Sequence, residues 1–232
     1  MKAKIRSPFL EIGTKNYIYG EDVLKLANAA DAASREYDID ILFTTPYMDI
    51  RMIAEQCGRL IIIAPYMDVL RPGRGLADIL PESIKAAGAH GVVLNHCEKP
   101  MTLSAIKQTI ERANELDLLT FACADSIVET KAIALFHPDI INPEPSELIG
   151  TGATSDLSFV KDSTRAVKDI HSDILVEQAA GITTARQVYD NIMAGADGVG
   201  SASGIIQSSD PFLLLHEMAQ SVYQARNDLA RK

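Results

Sequence analysis

Eight times along this chain a short apolar run gives way to a longer stretch whose apolar positions recur every three to four residues. That alternation constrains the fold more than any other feature, because period determines which backbone form can bury a given face. The runs read as strands are Phe9–Gly13, Ile39–Phe43, Leu60–Ala64, Gly91–Leu94, Leu118–Ala122, Asp139–Asn142, Asp173–Glu177 and Gly198–Ser201. Helices are predicted at Glu21–Tyr37, Asp49–Gln56, Pro81–Ala87, Leu103–Glu115, Ser126–Leu135, Ser158–Ile170, Thr184–Ala194 and Pro211–Arg226. Several strands are apolar without alternation, the pattern of parallel strands covered on both faces. Thr183, Asp210-Pro211 and Pro81-Glu82 provide helix starts, and Gly88 and Gly195 follow helix ends, where a left-handed residue is often needed. Eight such units in 232 residues predict a single-domain (β/α)8 barrel over residues 1–232. The competing architecture, an open doubly wound sheet, would usually show fewer units. It would also often place a Gly-rich turn after its first strand, and no G-x-G-x-x-G follows strand one.

The barrel hypothesis gathers chemistry from distant parts of the sequence. Functional groups in that fold stand at the C-terminal ends of the strands. Lys15 lies just past strand one, His96 just past strand four and Glu144 just past strand six, so all three are expected at one mouth. An imidazole and a carboxylate are the groups needed to move a proton beside a carbonyl. Gly150-Thr151-Gly152 offers bare backbone N–H groups of the kind that hold phosphate. Together these segments predict a sugar-phosphate isomerase, an enzyme of the aldose–ketose type.

Bulk properties exclude other classes. The net charge is −9 and the 22 basic residues are scattered, which argues against nucleic acid as the main partner. It leaves room for a small phosphate ligand, since backbone amides and one lysine can bind one. No apolar run approaches the roughly 18 residues needed to span a bilayer, and the opening Met1-Lys2-Ala3-Lys4-Ile5-Arg6 is followed by Pro8 and Glu11 rather than a signal-peptide core. Cys57, Cys97 and Cys123 have no metal-like spacing and favour free thiols in a reducing cytoplasm.

Three stretches resemble the triosephosphate isomerase family, in the shorter form typical of archaea. Leu80 to Ala89 is similar to that family's loop and helix before strand four. Leu94-Asn95-His96-Cys97-Glu98-Lys99 resembles its Asn-His-Ser-Glu-Arg, and Glu144 to Gly152 resembles its Glu-Pro-Pro-Glu-Leu-Ile-Gly-Thr-Gly, the most specific of the three. The resemblance implies the TIM-barrel fold and a base at Glu144. It implies an electrophile at His96, a neutral imidazole set at the start of a helix whose dipole disfavours the charged form. Lys15 is implied to attract the phosphate and stabilise the enediolate, with Glu98 supporting it. Phosphate is expected at Gly150, Gly181 and the Ala202 and Ser203 amides before Gly204. The closing loop is expected to run from near Glu144 to near Gly152. No metal or organic cofactor is implied, and a homo-oligomer, dimer or tetramer, is. The chain departs from the family at Gly13, where the family has Asn, at Leu76, which takes the place of a threonine in the third loop, and at Cys97, which replaces Ser. These changes leave open a paralogue acting on a tetrose phosphate such as erythrulose phosphate, and a non-catalytic sugar-phosphate binder.

Overall fold

The apolar runs form eight parallel strands that close on themselves in sequence order, the last pairing with the first. The computed structural model describes residues 1–151 and 155–231. Strands β1 (Phe9–Gly13), β2 (Ile41–Thr44), β3 (Ile61–Ala64), β4 (Gly91–Leu94), β5 (Leu119–Ala124), β6 (Ile140–Pro143), β7 (Leu175–Gln178) and β8 (Gly198–Ser201) make the barrel. Around it lie α1 (Glu21–Tyr37), α2 (Ile50–Gln56), α3 (Pro81–Ala87), α4 (Leu103–Glu115), α5 (Ile127–Ala134), α6 (Leu157–Lys168), α7 (Ala185–Met193), α8 (Ser203–Ile206) and α9 (Pro211–Leu229). This is the single-domain (β/α)8 barrel expected from the alternation. The open sheet is excluded by the pairing of β1 with β8, Phe9 opposite Gly198 and Leu10 opposite Val199.

Successive side chains on a strand point to opposite faces, so a barrel has two apolar layers. One layer, including Leu10, Ile12, Ile41, Phe43, Ile62, Val92 and Val199, packs against the surrounding helices. The other, including Phe9, Leu42, Ile61, Ile63, Val93, Leu119, Phe121 and Ile140, fills the inside. Gly198 makes the inner layer possible: a Cβ there would stand 2.2 Å from the Phe9 ring, so only glycine lets that ring close the lower barrel.

Capping follows local chemistry, with one shift from expectation. Asp210 caps α9 by accepting from the Leu213 N–H, and Pro211 occupies its first turn. For α7 the cap is Thr184, one residue later than the expected Thr183. The Thr184 hydroxyl accepts from the Gln187 N–H, and Gln187 Oε1 accepts from the N–H groups of Thr183 and Thr184. Gly88 and Gly195 carry φ values of 110° and 118°, as the helix-end reading requires. Strands β2 and β7 start two residues later than expected. Asp40 and Asp173, placed inside strands by the sequence reading, lie outside them and bond Arg6 and His137. Among the described residues no helix is long and apolar enough to cross a membrane.

Candidate active site

Lys15, His96 and Glu144 converge on one cavity of about 920 Å³ at the C-terminal mouth of the barrel. Lys15 follows β1 with φ 46°, in the left-handed region that a lysine seldom adopts. Its ammonium donates to Glu98 Oε1 at 2.9 Å. Burial pulls the Lys15 pKa down, but the carboxylates of Glu98 and Glu144 outweigh it and the net direction is up. The lysine therefore stays cationic.

The His96 turn is fixed from beneath. Asn95, also left-handed at φ 56°, donates through Nδ2 to the Cys123 carbonyl at 3.1 Å and to Glu129 at 2.9 Å, and accepts from the Met101 N–H at 2.8 Å. His96 itself lies in a turn, with the Lys99 N–H donating to its carbonyl, and the next helix, α4, begins only at Leu103. The expected placement at a helix start is therefore corrected, and the helix dipole does not hold the ring neutral. Two other effects do. Burial, aided by the Lys15 charge, lowers the His96 pKa, and the Glu98 N–H donates to Nδ1 at 3.1 Å. An Nδ1 that accepts leaves the proton on Nε2. That Nε2 lies 3.7 Å from Glu144 Oε2.

Glu144 continues β6, its N–H donating to the Ala124 carbonyl at 2.8 Å. Its side chain is only 11% exposed. Burial pushes its pKa up to about 7, against the pull of Lys15. A carboxylate so raised is a stronger base than one in water and still ionises near neutral pH.

Around the mouth, Gly150, Thr151, Gly181, Ala202, Ser203 and Gly204 line the same cavity. Gly150 and Gly181 have φ values of 74° and 68°. Gly204 lies so close to the loop after β7 that a Cβ would stand 2.1 Å from the Ile182 carbonyl, which also accepts from the Ser201 hydroxyl at 2.8 Å. The Gly181 turn and helix α8 are thereby drawn together. The expected loop end at Gly152 lies outside the described residues.

Two cavity-lining residues were missed by sequence reasoning. Glu11 on β1 and Glu177 on β7 are buried, 8% and 0% exposed, in the cavity wall below the catalytic candidates. A carboxylate in the middle of an apolar parallel strand was the available signal, since such groups are seldom buried without purpose. Elsewhere, His90 accepts from the Ile62 N–H and ties two strands together. One histidine–aspartate grouping among the described residues, His137, His171 and Asp173, brings its ligand atoms within 4.8 Å of one another. It is far in the fold from the cavity, and His137 is ion-paired to Asp173.

A family model described as triosephosphate isomerase matches residues 8–218. The triosephosphate isomerase of Sulfurisphaera tokodaii is 34% identical over 225 residues, covering 95% of this chain and 98% of that protein. That of Methanocaldococcus jannaschii is 34% identical over 212 residues, covering 90% and 96%. That of Methanobrevibacter smithii is 35% identical over 212 residues, covering 89% and 95%.

Proposed function

The chain belongs to the triosephosphate isomerase family, and from that premise we propose that it interconverts dihydroxyacetone phosphate and glyceraldehyde 3-phosphate at the Lys15–His96–Glu144 mouth. The observation that carries this reading is the pairing of a buried carboxylate with an Nε2-protonated imidazole 3.7 Å away. Glu144 takes the proton from the carbon beside the carbonyl and returns it to the neighbouring carbon. The His96 Nε2–H donates to the substrate oxygen, where negative charge grows as the enediolate forms. The imidazole then relays a proton from the hydroxyl oxygen that becomes the new carbonyl to the oxygen that becomes the new hydroxyl. Lys15 stabilises that charge and draws in the phosphate, and Glu98 holds the ammonium in place. Backbone N–H groups at Gly150, Gly181, Ala202 and Ser203 hold the phosphate, supported by their common position around the cavity rim. This chemistry uses the substrate's own carbonyl to acidify the carbon.

The test is turnover of glyceraldehyde 3-phosphate by purified protein. Wild type is expected to turn over readily, with Glu144→Gln slowed about 10⁴-fold in kcat. Negligible wild-type turnover, or an unimpaired variant, would falsify the proposal.

The protein is further proposed to act as a cytoplasmic homo-oligomer. Its free thiols Cys57, Cys97 and Cys123 accord with a reducing compartment. Tyr17, Tyr19, Met48, Val69 and Leu76, in the loops after β1, β2 and β3, are all exposed, and Leu76 and Met48 stand almost free of the protein. Apolar groups gathered on neighbouring loops support self-association through that rim.

A further inference from the structure

The cavity continues below the proton-transfer groups to Glu11 and Glu177, which the proposed mechanism does not use. Glu177 is fully buried and neither of its carboxyl oxygens meets a protein donor. Asn142 Oδ1 and the Thr45 hydroxyl, which line the same cavity, are likewise buried without a hydrogen-bond partner in the protein. The two glutamates converge. A Cβ at Gly200 would lie 2.1 Å from Glu177 Oε1 and 2.9 Å from Glu11 Oε2, so the glycine provides the space into which both carboxyls point. A Cβ at Gly13, nearer the mouth, would lie 3.3 Å from Glu11 Oε1. Two bare strand positions thus frame a carboxyl pair.

An unpartnered buried carboxyl is costly to a fold, by more than a neutral polar group would be. Glu177 is such a group, and two carboxyls facing one space cannot both be ionised cheaply. Burial raises both, Glu11 to about 7 and Glu177 well above its ordinary value, so the pair retains a proton near neutrality. It therefore presents an O–H donor and carboxylate acceptors together. A hydroxyl group, which donates and accepts, complements both. A second phosphate does not, because the pair would repel it. The cavity is polarised accordingly, with Lys15 and backbone N–H groups toward the mouth and acid at the floor.

We propose that Glu11 and Glu177 form a floor subsite that binds the hydroxyl-bearing end of a phosphorylated sugar or polyol while its phosphate lies at the mouth. This deepens the isomerase reading and rests on it for the orientation of the ligand. Glu11, next to Glu144 and Lys15 in the cavity wall, is the member that reaches the ligand. Glu177 backs it and holds the shared proton. Both are positioning residues, since neither moves the proton that isomerises the sugar.

The experiment compares two non-reacting probes, glycerol 3-phosphate and propyl phosphate, as competitive inhibitors of wild type, Glu177→Leu and Glu177→Gln. Both probes carry the phosphate and only the first carries hydroxyls. Wild type is expected to prefer glycerol 3-phosphate at least tenfold, the worth of one good hydrogen bond or more. In Glu177→Leu that ratio should fall at least fivefold, with propyl phosphate affinity unchanged and KM for glyceraldehyde 3-phosphate raised more than kcat is lowered. Glu177→Gln, close in volume and still able to hydrogen-bond, should keep most of the preference and serves if the leucine variant does not fold. An unchanged ratio in Glu177→Leu, or a wild type without preference, overturns the subsite. Direct titration of the same two probes reads the ratio without turnover, so an enzyme inactive on triose phosphate would sink the functional reading alone.

Discussion

The lower and upper halves of the barrel interior are built from alternate positions on the same strands but hold opposite chemistry. Below, Phe9, Ile61, Leu119 and Ile140 form a closed apolar layer. Above, Glu11, Asn142, Glu144 and Glu177 face an open cavity, where Asn142 Oδ1 and both Glu177 oxygens have no protein partner. The charged groups outside the lower rim differ again, because they are paired. Asp139 accepts from Lys2 and from the Thr120 N–H and hydroxyl, and Asp197 accepts from the Val176 N–H and pairs with Lys168. Carboxylates that serve the fold are thus satisfied within it, while those in the upper cavity are held in readiness. The difference separates residues that fill the fold from residues that face the cavity, along a single strand two positions apart: Phe9 and Glu11 on β1.

Emptying the lower half should be the most damaging change to the fold. Phe9→Ala leaves the space over Gly198 unfilled and is expected to lower stability by about 3–5 kcal/mol, measured by urea unfolding. If that variant instead kept its stability and lost kcat, the division between the halves would be wrong.

The acid-side behaviour of the enzyme sharpens the comparison next. Glu144 must be ionised to accept a proton and burial raises its pKa to about 7. kcat/KM should therefore fall close to tenfold per pH unit below about 7. His96, whose pKa burial and the Lys15 charge lower, takes up its proton only at lower pH than a free imidazole would. A profile flat down to pH 5 would show that Glu144 is not held as the structure describes.

The smallest effect concerns the stability cost of the upper half. A buried carboxyl with a raised pKa keeps its proton in the folded chain while the unfolded chain releases it. Stability therefore falls as pH rises from the unfolded value near 4.5 toward the folded one. Glu177→Leu removes that cost, so its melting temperature should exceed that of wild type at pH 8, by an amount worth about 1 kcal/mol. At pH 4.5 the gain should shrink. A gain that is larger at low pH would contradict the buried, unpartnered state of Glu177.

The order and nature of the elements could be read from the sequence because each has its own period and its own cap. Asp210, Pro81 and Gly88 mark real helix boundaries. Lys15, His96 and Glu144 were readable because a barrel puts every strand's C-terminal end at one mouth. Helix α8 was not, since four residues are too few to express a period. The His96 turn was misplaced at a helix start because the short span from Cys97 to Thr102 carries no strong stop or start until Thr102 caps α4. The sequence shows Glu11 and Glu177 each as a carboxylate in an apolar strand, but not that the two meet. Only closure of the sheet brings β1 and β7 to opposite sides of β8, where Gly200 leaves both carboxyls the same space.

Glu98 has a consequence beyond its own ion pair. Its backbone N–H selects the tautomer of His96 and its carboxylate anchors Lys15, so one amino acid sets the state of two proposed catalytic groups that follow different strands. For protein engineering, the pentapeptide from Asn95 to Lys99 is a cassette. Moved to a new scaffold, it would bring the N–H that fixes the imidazole tautomer and a carboxylate to anchor a lysine. The lysine itself must come from another strand, as Lys15 does here, and Asn95 must find counterparts of the Cys123 carbonyl, Glu129 and the Met101 N–H.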